Sequence, residues 1–259
     1  MAISLKTREQ IERMRQAGQT VRYVLDCLGE IIASGVTTEE LDVEAEKLCL
    51  AAGGKCLFKG VPGRGKAGPF PGCICVSINE QVVHGMPSKR VVRDGDIVSV
   101  DFGVELGGWC GDAAETFMVG QVAAEVRRLV EVTRNSLEMA KEMMLPGRKW
   151  SNIAGAMQSY IESEGLSVVR EFVGHGIGRR MWEEPKVPNF VSRELESHDI
   201  VLAEGMVLAV EPMVNLGSRE VLYAPDGWTV VTRDGRPSAH FEHTLAVAAG
   251  GADVLTTCR

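Results

Sequence analysis

A helix pair is written twice in this chain, and that repetition restricts the fold more than any other feature. From Lys6 to about Ala33, the apolar residues Ile11, Met14, Val21, Val24, Leu25, Leu28 and Ile32 recur at helical spacing, with Gly35 beyond the last turn. A second helix follows, opened by the capping-box pattern of Thr37 and Glu40 and stopped by Gly53-Gly54. The plan returns as a helix from about Ala123 to Leu145, then Pro146-Gly147, then a helix ending near Gly165. A shift of 112 residues lays Gly35 on Gly147, Leu41 on Ile153, Leu48 on Tyr160 and Gly53 on Gly165, so one unit reads as used twice. Strand-like stretches lie between and after the helices: CICVSI, DIVSVDFGV, GDAAETFMV, SVVREFV, GMVLAVEPMV and HFEHTLAVA. Helix pairs alternating with strand groups predict an α+β fold whose sheet is covered by helices on one face.

At 259 residues, with 45% hydrophobic and 24% charged residues, the chain can bury a large core without disulfides. A net charge of −7 gives no electrostatic case for nucleic acid or an anionic membrane as the main partner. The polar N-terminus and the absence of any run of about 18 apolar residues predict a cytoplasmic protein. Seven cysteines with no CxxC pair predict reduced thiols that serve as packing. The Pro/Gly-rich stretch KGVPGRGKAGPFPG, residues 59–72, reads as a loop that either lines a pocket or is simply solvated, the second being the default.

Two features point to a site. In FVGHGIGRRMWEEP, His175 is flanked by Gly174, Gly176 and Gly178, which strip away side-chain cover and present the imidazole. In DIVSVDFGVELGGWCGDAAETF, alternating apolar residues run into a tight turn. A turn centred on Leu106-Gly107 sets Asp101 directly opposite Asp112, with Cβ atoms roughly 4.5–5.5 Å apart. Facing like charges repel unless solvent or a cation separates them. Glu211, after GMVLAV, and Glu242, in HFEHTLAV, fall at strand positions expected to be buried, where a lone glutamate is rare unless paired or metal-bound. Four carboxylates and one imidazole suit a pair of Mn, Fe, Co or Zn ions about 3.5–4 Å apart.

Taken together, the stretches SINEQVVHGMP around His84, DIVSVDFGV, GDAAETF, VGHGIG, AVEPMV and DGWTVVTRDGRPSAHFEHT make the chain resemble the type I methionine aminopeptidases over its whole length. The resemblance implies the pita-bread, or creatinase/aminopeptidase, fold, with pseudo-twofold halves and a curved antiparallel sheet covered by helix pairs, spanning residues 1–259 as one catalytic domain. It implies two divalent metal ions, with Asp112 and Glu242 bridging both, Asp101 on one, and His175 with Glu211 on the other. By the same resemblance, water between the ions is the nucleophile, Glu211 handles protons, and His84 contacts the scissile amide nitrogen. Cys75, Met181, Trp182 and Trp228 match the substrate side of the site. The implied activity is removal of the initiator methionine from nascent chains with a small second residue, by a cytoplasmic monomer in transient contact with the ribosome.

Two departures qualify the match. Type I enzymes carry a second histidine seven residues after the first; here that position is Trp182, either an indole donor turned inward or an apolar residue that narrows the cleft. The loop 59–72 is longer than the usual connection and lacks the expected tyrosines. An Xaa-Pro peptidase of the same fold and a catalytically impaired peptide-binding relative are the alternatives that these residues leave open.

Overall fold

The computed structural model describes residues 3–63, 65 and 67–258. Both predicted helix pairs form, as α1 (Arg8–Ile31), α2 (Thr38–Ala51), α3 (Ala124–Met143) and α4 (Trp150–Ser163). The helices α2 and α4 begin and end 112 residues apart, as the repeat predicts. Their starts are stabilised differently. Thr7 with Gln10 and Thr37 with Glu40 make complete capping boxes on α1 and α2. Lys149, which precedes α4, makes no side-chain cap; the carboxylate of Asp199 accepts from the Ser151 N–H at 3.1 Å instead.

All strand pairings are antiparallel. In the first half, the hairpin of Ile97–Leu106 and Trp109–Met118 carries Cys75–Ile78 and Lys55–Cys56 along its outer edge. In the second, five strands run in the order Gly251–Val254, His243–Ala248, Val207–Val210, Gly174–Gly176, Glu183–Val187. Each helix pair covers its own half. Val98, Val100, Phe102 and Val104 pack with Val21, Leu25 and Leu28 of α1 and Leu41 of α2. Leu208, Val210 and Leu245 pack with Leu129 and Leu137 of α3 and Ile153 and Met157 of α4. With period-two alternation, the residues between those core positions, Asp101 among them, face away from the helices.

The halves join through a reciprocal clasp. The backbone of Ala114 pairs with that of Glu242, with the Glu242 N–H donating to the Ala114 carbonyl at 2.9 Å. On one side, the Thr116 hydroxyl donates to the His240 carbonyl at 2.8 Å and accepts from the His240 N–H at 3.0 Å. On the other, the Thr244 hydroxyl donates to the Asp112 carbonyl at 2.7 Å and accepts from the Asp112 N–H at 3.1 Å. Thr116 and Thr244, Asp112 and His240, and Ala114 and Glu242 therefore exchange places about a pseudo-twofold axis through the junction.

Helix α1 lies so close to the sheet that a Cβ on Gly18 would meet the Leu255 carbonyl oxygen at 2.3 Å. Alanine would gain about 1 kcal/mol of helix propensity there, but backbone cannot yield as a side-chain tip can, and overpacking of this kind costs about 1–3 kcal/mol or more. Gly18→Ala is therefore expected to lower the melting temperature by several degrees, read by thermal unfolding, despite the better helix former.

Candidate metal centre

The structure brings every predicted site residue to one cavity of about 420 Å³: Asp101, Asp112, His175, Glu211 and Glu242 with His84, Cys75, Met181, Trp182 and Trp228. At its heart, one donor atom each from Asp112, His175 and Glu242 lie within 4.8 Å of one another, close enough to hold a common cation. Asp101, within the strand Ile97–Leu106, and Glu211, one residue past the strand Val207–Val210, line the same cavity beside this trio.

The hairpin register differs from the expectation. The turn centres on Gly107-Gly108, with φ of 59° and 78°, the left-handed pair that a two-residue hairpin turn requires. Asp101 consequently pairs with Ala114 and Gly103 with Asp112, so the two aspartates are diagonal neighbours and not directly opposed. Because the slip moves cross-strand partners by two, both aspartates stay on the same face.

Asp101 Oδ1, Asp112 Oδ1 and Glu242 Oε1 are buried and have no hydrogen-bond partner. No salt bridge joins any of the four carboxylates to a lysine or arginine among the described residues. Burial pushes Asp101 up to about 7. Asp112 is raised well above the ordinary carboxylate range by burial and then by the charge of Asp101. Glu211 and Glu242 are raised in the same way, by burial first and then by the other carboxylates. A cluster of buried acids with orphaned oxygens is costly alone, and a divalent cation relieves both the desolvation and the mutual repulsion. The residues thus fit the metals that the sequence implies.

His175 completes the set. Its Nδ1 lies 2.9 Å from the Gly176 carbonyl, which assigns the proton to Nδ1 and leaves the Nε2 lone pair free, 3.7 Å from Glu211 Oε1. Burial lowers its pKa, which favours the neutral imidazole that a metal needs. The glycines around it act through close approach: a Cβ on Gly174 would meet the Ala209 carbonyl oxygen at 2.3 Å. His84 holds a left-handed φ of 58°, unusual for a residue with a Cβ, and its ring stands edge-on to Phe172 at 5.2 Å.

The apolar end of the cavity overturns two expectations. Residues 59–72 do not form a merely solvated loop, although residues 64 and 66 lie outside the described residues. Phe70 is 2% exposed and stands edge-on to Trp228 at 5.1 Å, and the Trp228 indole donates to the Gly68 carbonyl at 2.9 Å. Phe58, Phe70, Cys75 and Met181 form one buried cluster with Val61 and Trp228 against it. The cysteines are not all reduced either. Cys56 and Cys73 form a disulfide, with Cα atoms 5.3 Å apart, that brackets this wall. The strand at Lys55–Cys56 and the loop's return bring the two together, and their spacing in sequence matches no pattern that would have revealed it. Cys75 is free and buried.

Sequence reasoning passed over Phe58, Phe70, Phe172 and His240. His240 is 2% exposed with Nε2 unpartnered, and burial drives its pKa down to about 3. Its signal was period two: His240 stands two residues before Glu242 on the segment that meets the first hairpin. The phenylalanines carried no local signal, since an aromatic in a glycine-rich stretch reads equally as core.

Comparison with known proteins agrees with this geometry. The profile of Metallopeptidase family M24 matches residues 12–249. The chain is 45% identical over 254 residues to methionine aminopeptidase 1 of Bacillus subtilis, covering 98% of this chain and 99% of that one. It superposes on the crystal structure of a methionine aminopeptidase from Thermotoga maritima with a TM-score of 0.93 and 40% identity, covering 99% and 100% of the two chains. The prolidase from Pyrococcus furiosus shares the fold, with a TM-score of 0.76 at 21% identity, but the match spans only 66% of that longer chain. A pita-bread architecture, a buried cluster of metal-binding side chains and full-length similarity to these enzymes converge: the chain belongs to metallopeptidase family M24.

Proposed function

We propose that the protein is a metalloaminopeptidase that hydrolyses the bond after an N-terminal methionine. One observation carries the reading. Buried, unpartnered carboxylate oxygens and a neutral imidazole converge at the end of an apolar cavity lined by Phe58, Phe70, Cys75, Met181 and Trp228. Such a wall suits a flexible, unbranched thioether.

Asp112, His175 and Glu242, with Asp101 and Glu211 beside them, would hold the divalent ions. The ions, when bound, polarise the scissile carbonyl and make hydroxide available from water near neutrality. Glu211, at the edge of the cluster, takes the proton that the attacking water gives up and delivers it to the leaving amine. His84, braced by Phe172, hydrogen-bonds the scissile amide and holds it against the carboxylates. The substrates are nascent polypeptides with a small second residue. The enzyme works as one catalytic domain and as a monomer in the cytoplasm, in transient contact with the ribosome. No helix among the described residues is long and apolar enough to cross a membrane.

Met-Ala-Ser and Xaa-Pro peptides, each with added Mn, Co or Fe, test the reading. Release of methionine from Met-Ala-Ser, with the Xaa-Pro peptides untouched, is the expected result. Turnover confined to Xaa-Pro peptides refutes it, and so does peptide binding with no turnover under any of the metals.

A further inference from the structure

The indole of Trp182 has no role in the reading above, and it is held where a substrate chain must pass. Met181 and Trp182 are consecutive, yet Met181 packs in the apolar cluster at 8% exposed while Trp182, lining the same cavity, is 56% exposed. The backbone that carries them is anchored. The Gly178 N–H donates to the Arg180 carbonyl at 3.1 Å, and the Arg180 N–H donates to Glu183 Oε1 at 3.2 Å. Glu183 is in turn fixed by Lys6 at 2.7 Å, in an ion pair 4% and 12% exposed. Trp182 therefore stands on a braced segment, with its ring presented to the cavity mouth. Among the described residues its indole N–H has no hydrogen-bond partner, so neither packing nor hydrogen bonding accounts for its position. A rigid, half-exposed indole is an anchor of the kind that dominates peptide recognition.

The inference rests on the cavity's being the methionine pocket. A methionine seated against Met181 continues as a chain that leaves by the cavity mouth. Its second residue crosses the carboxylate cluster beside His84. The third lies about 3.4 Å further out along an extended chain, at the rim. We propose that Trp182 is a specificity-determining residue that packs against the substrate's third side chain and selects large apolar or aromatic residues there over small polar ones.

The test compares kcat/KM for Met-Ala-Xaa-Ser peptides, with Xaa as Phe, Leu, Ser or Asp, on the metal-loaded protein. Phe is expected to exceed Ser about tenfold, which is ~1.4 kcal/mol, with the difference residing in KM. Trp182→Ala should collapse that ratio to below about twofold, and Trp182→Phe should keep most of it. A wild-type ratio below twofold, or a ratio unchanged in Trp182→Ala, overturns the inference even when methionine is released. If Trp182→His instead raises the rate on every peptide equally, with the wild type indifferent to the third residue, the position serves as a donor and the inference also falls. A second measurement needs no turnover: indole-fluorescence titration with Met-Ala-Phe-Ser and Met-Ala-Ser-Ser whose scissile amides are reduced to CH2–NH. Tenfold tighter binding of the Phe peptide, lost in Trp182→Ala, supports the inference, and equal binding refutes it. An inactive protein that still discriminates between these analogues would refute the hydrolase reading while sparing this one.

Discussion

Glu242→Gln is expected to lower kcat/KM on a methionyl peptide by at least about 10³, while leaving the metal-free protein folded and more stable than the wild type. The two halves of this expectation share one cause. Glu242 is 3% exposed, its Oε1 has no partner, and its charge sits with those of Asp112, Glu211 and Asp101. Removing that charge with an isosteric amide relieves repulsion in the metal-free state, which raises stability. It also deletes an anionic donor from the trio that can hold a cation, which weakens metal binding, and a factor of 10³ corresponds to about 4 kcal/mol of lost transition-state stabilisation. Calorimetric metal titration, thermal unfolding and steady-state kinetics on the same sample read all three consequences. Activity within tenfold of the wild type, or a metal-free variant less stable than the wild type, would contradict the assignment of Glu242 to the metals.

Between about pH 6.5 and 7.5 the metal-free protein should lose stability as pH rises, and the metal-loaded protein should not. Asp101 titrates at about 7 in the fold against 3.8 in a free chain, and Asp112, Glu211 and Glu242 are displaced in the same direction. In this window the unfolded chain has already released those protons while the folded one still holds some. The folded state binds more protons, so stability falls with rising pH. The buried histidines work the other way but in another range. His240 and His243 are driven down to about 3 and about 4, so their penalty on the fold grows only as pH drops below about 6.5. With metal bound, the carboxylates exchange protons for cations, and higher pH favours the exchange. In EDTA the melting temperature should fall by roughly 2–3 °C from pH 6.5 to 7.5. With Mn or Co it should hold steady or climb. A metal-free melting temperature that rises with pH across this range would mean that the cluster is not the dominant buried charge.

How much of this was legible beforehand followed the range of each interaction. Thr37 and Glu40 announced a helix start because a capping box is complete within four residues, and the structure contains it. The Asp101–Asp112 hairpin was found with its face right and its partners two residues off. Leu106-Gly107-Gly108 offers two turn placements that differ by one step, and only the strand pairing beyond the turn chooses between them. Of the pocket wall, Cys75, Met181 and Trp228 came only with the family resemblance, and Phe58 and Phe70 were not legible at all. Phe70 earns its burial from Trp228, whose indole bonds Gly68 across 160 residues of chain, and the Cys56–Cys73 link depends on a loop returning to a two-residue strand. Nothing within several residues of Phe70 distinguishes a pocket lining from a solvated turn. The carboxylates were visible for the opposite reason, since an acid within an apolar strand is conspicuous wherever its partners lie.

The threonine clasp at the junction has a bearing on how such a centre can arise. Had the two halves been separate, identical polypeptides, every substitution would have struck both sides of the dyad at once, and Asp112 and His240 could not differ, nor Ala114 and Glu242. Covalent linkage freed each side to evolve alone. The lopsided chemistry of the centre, in which Asp112 is answered across the axis by His240 and Glu242 by Ala114, is available only to a polypeptide that carries both halves in tandem.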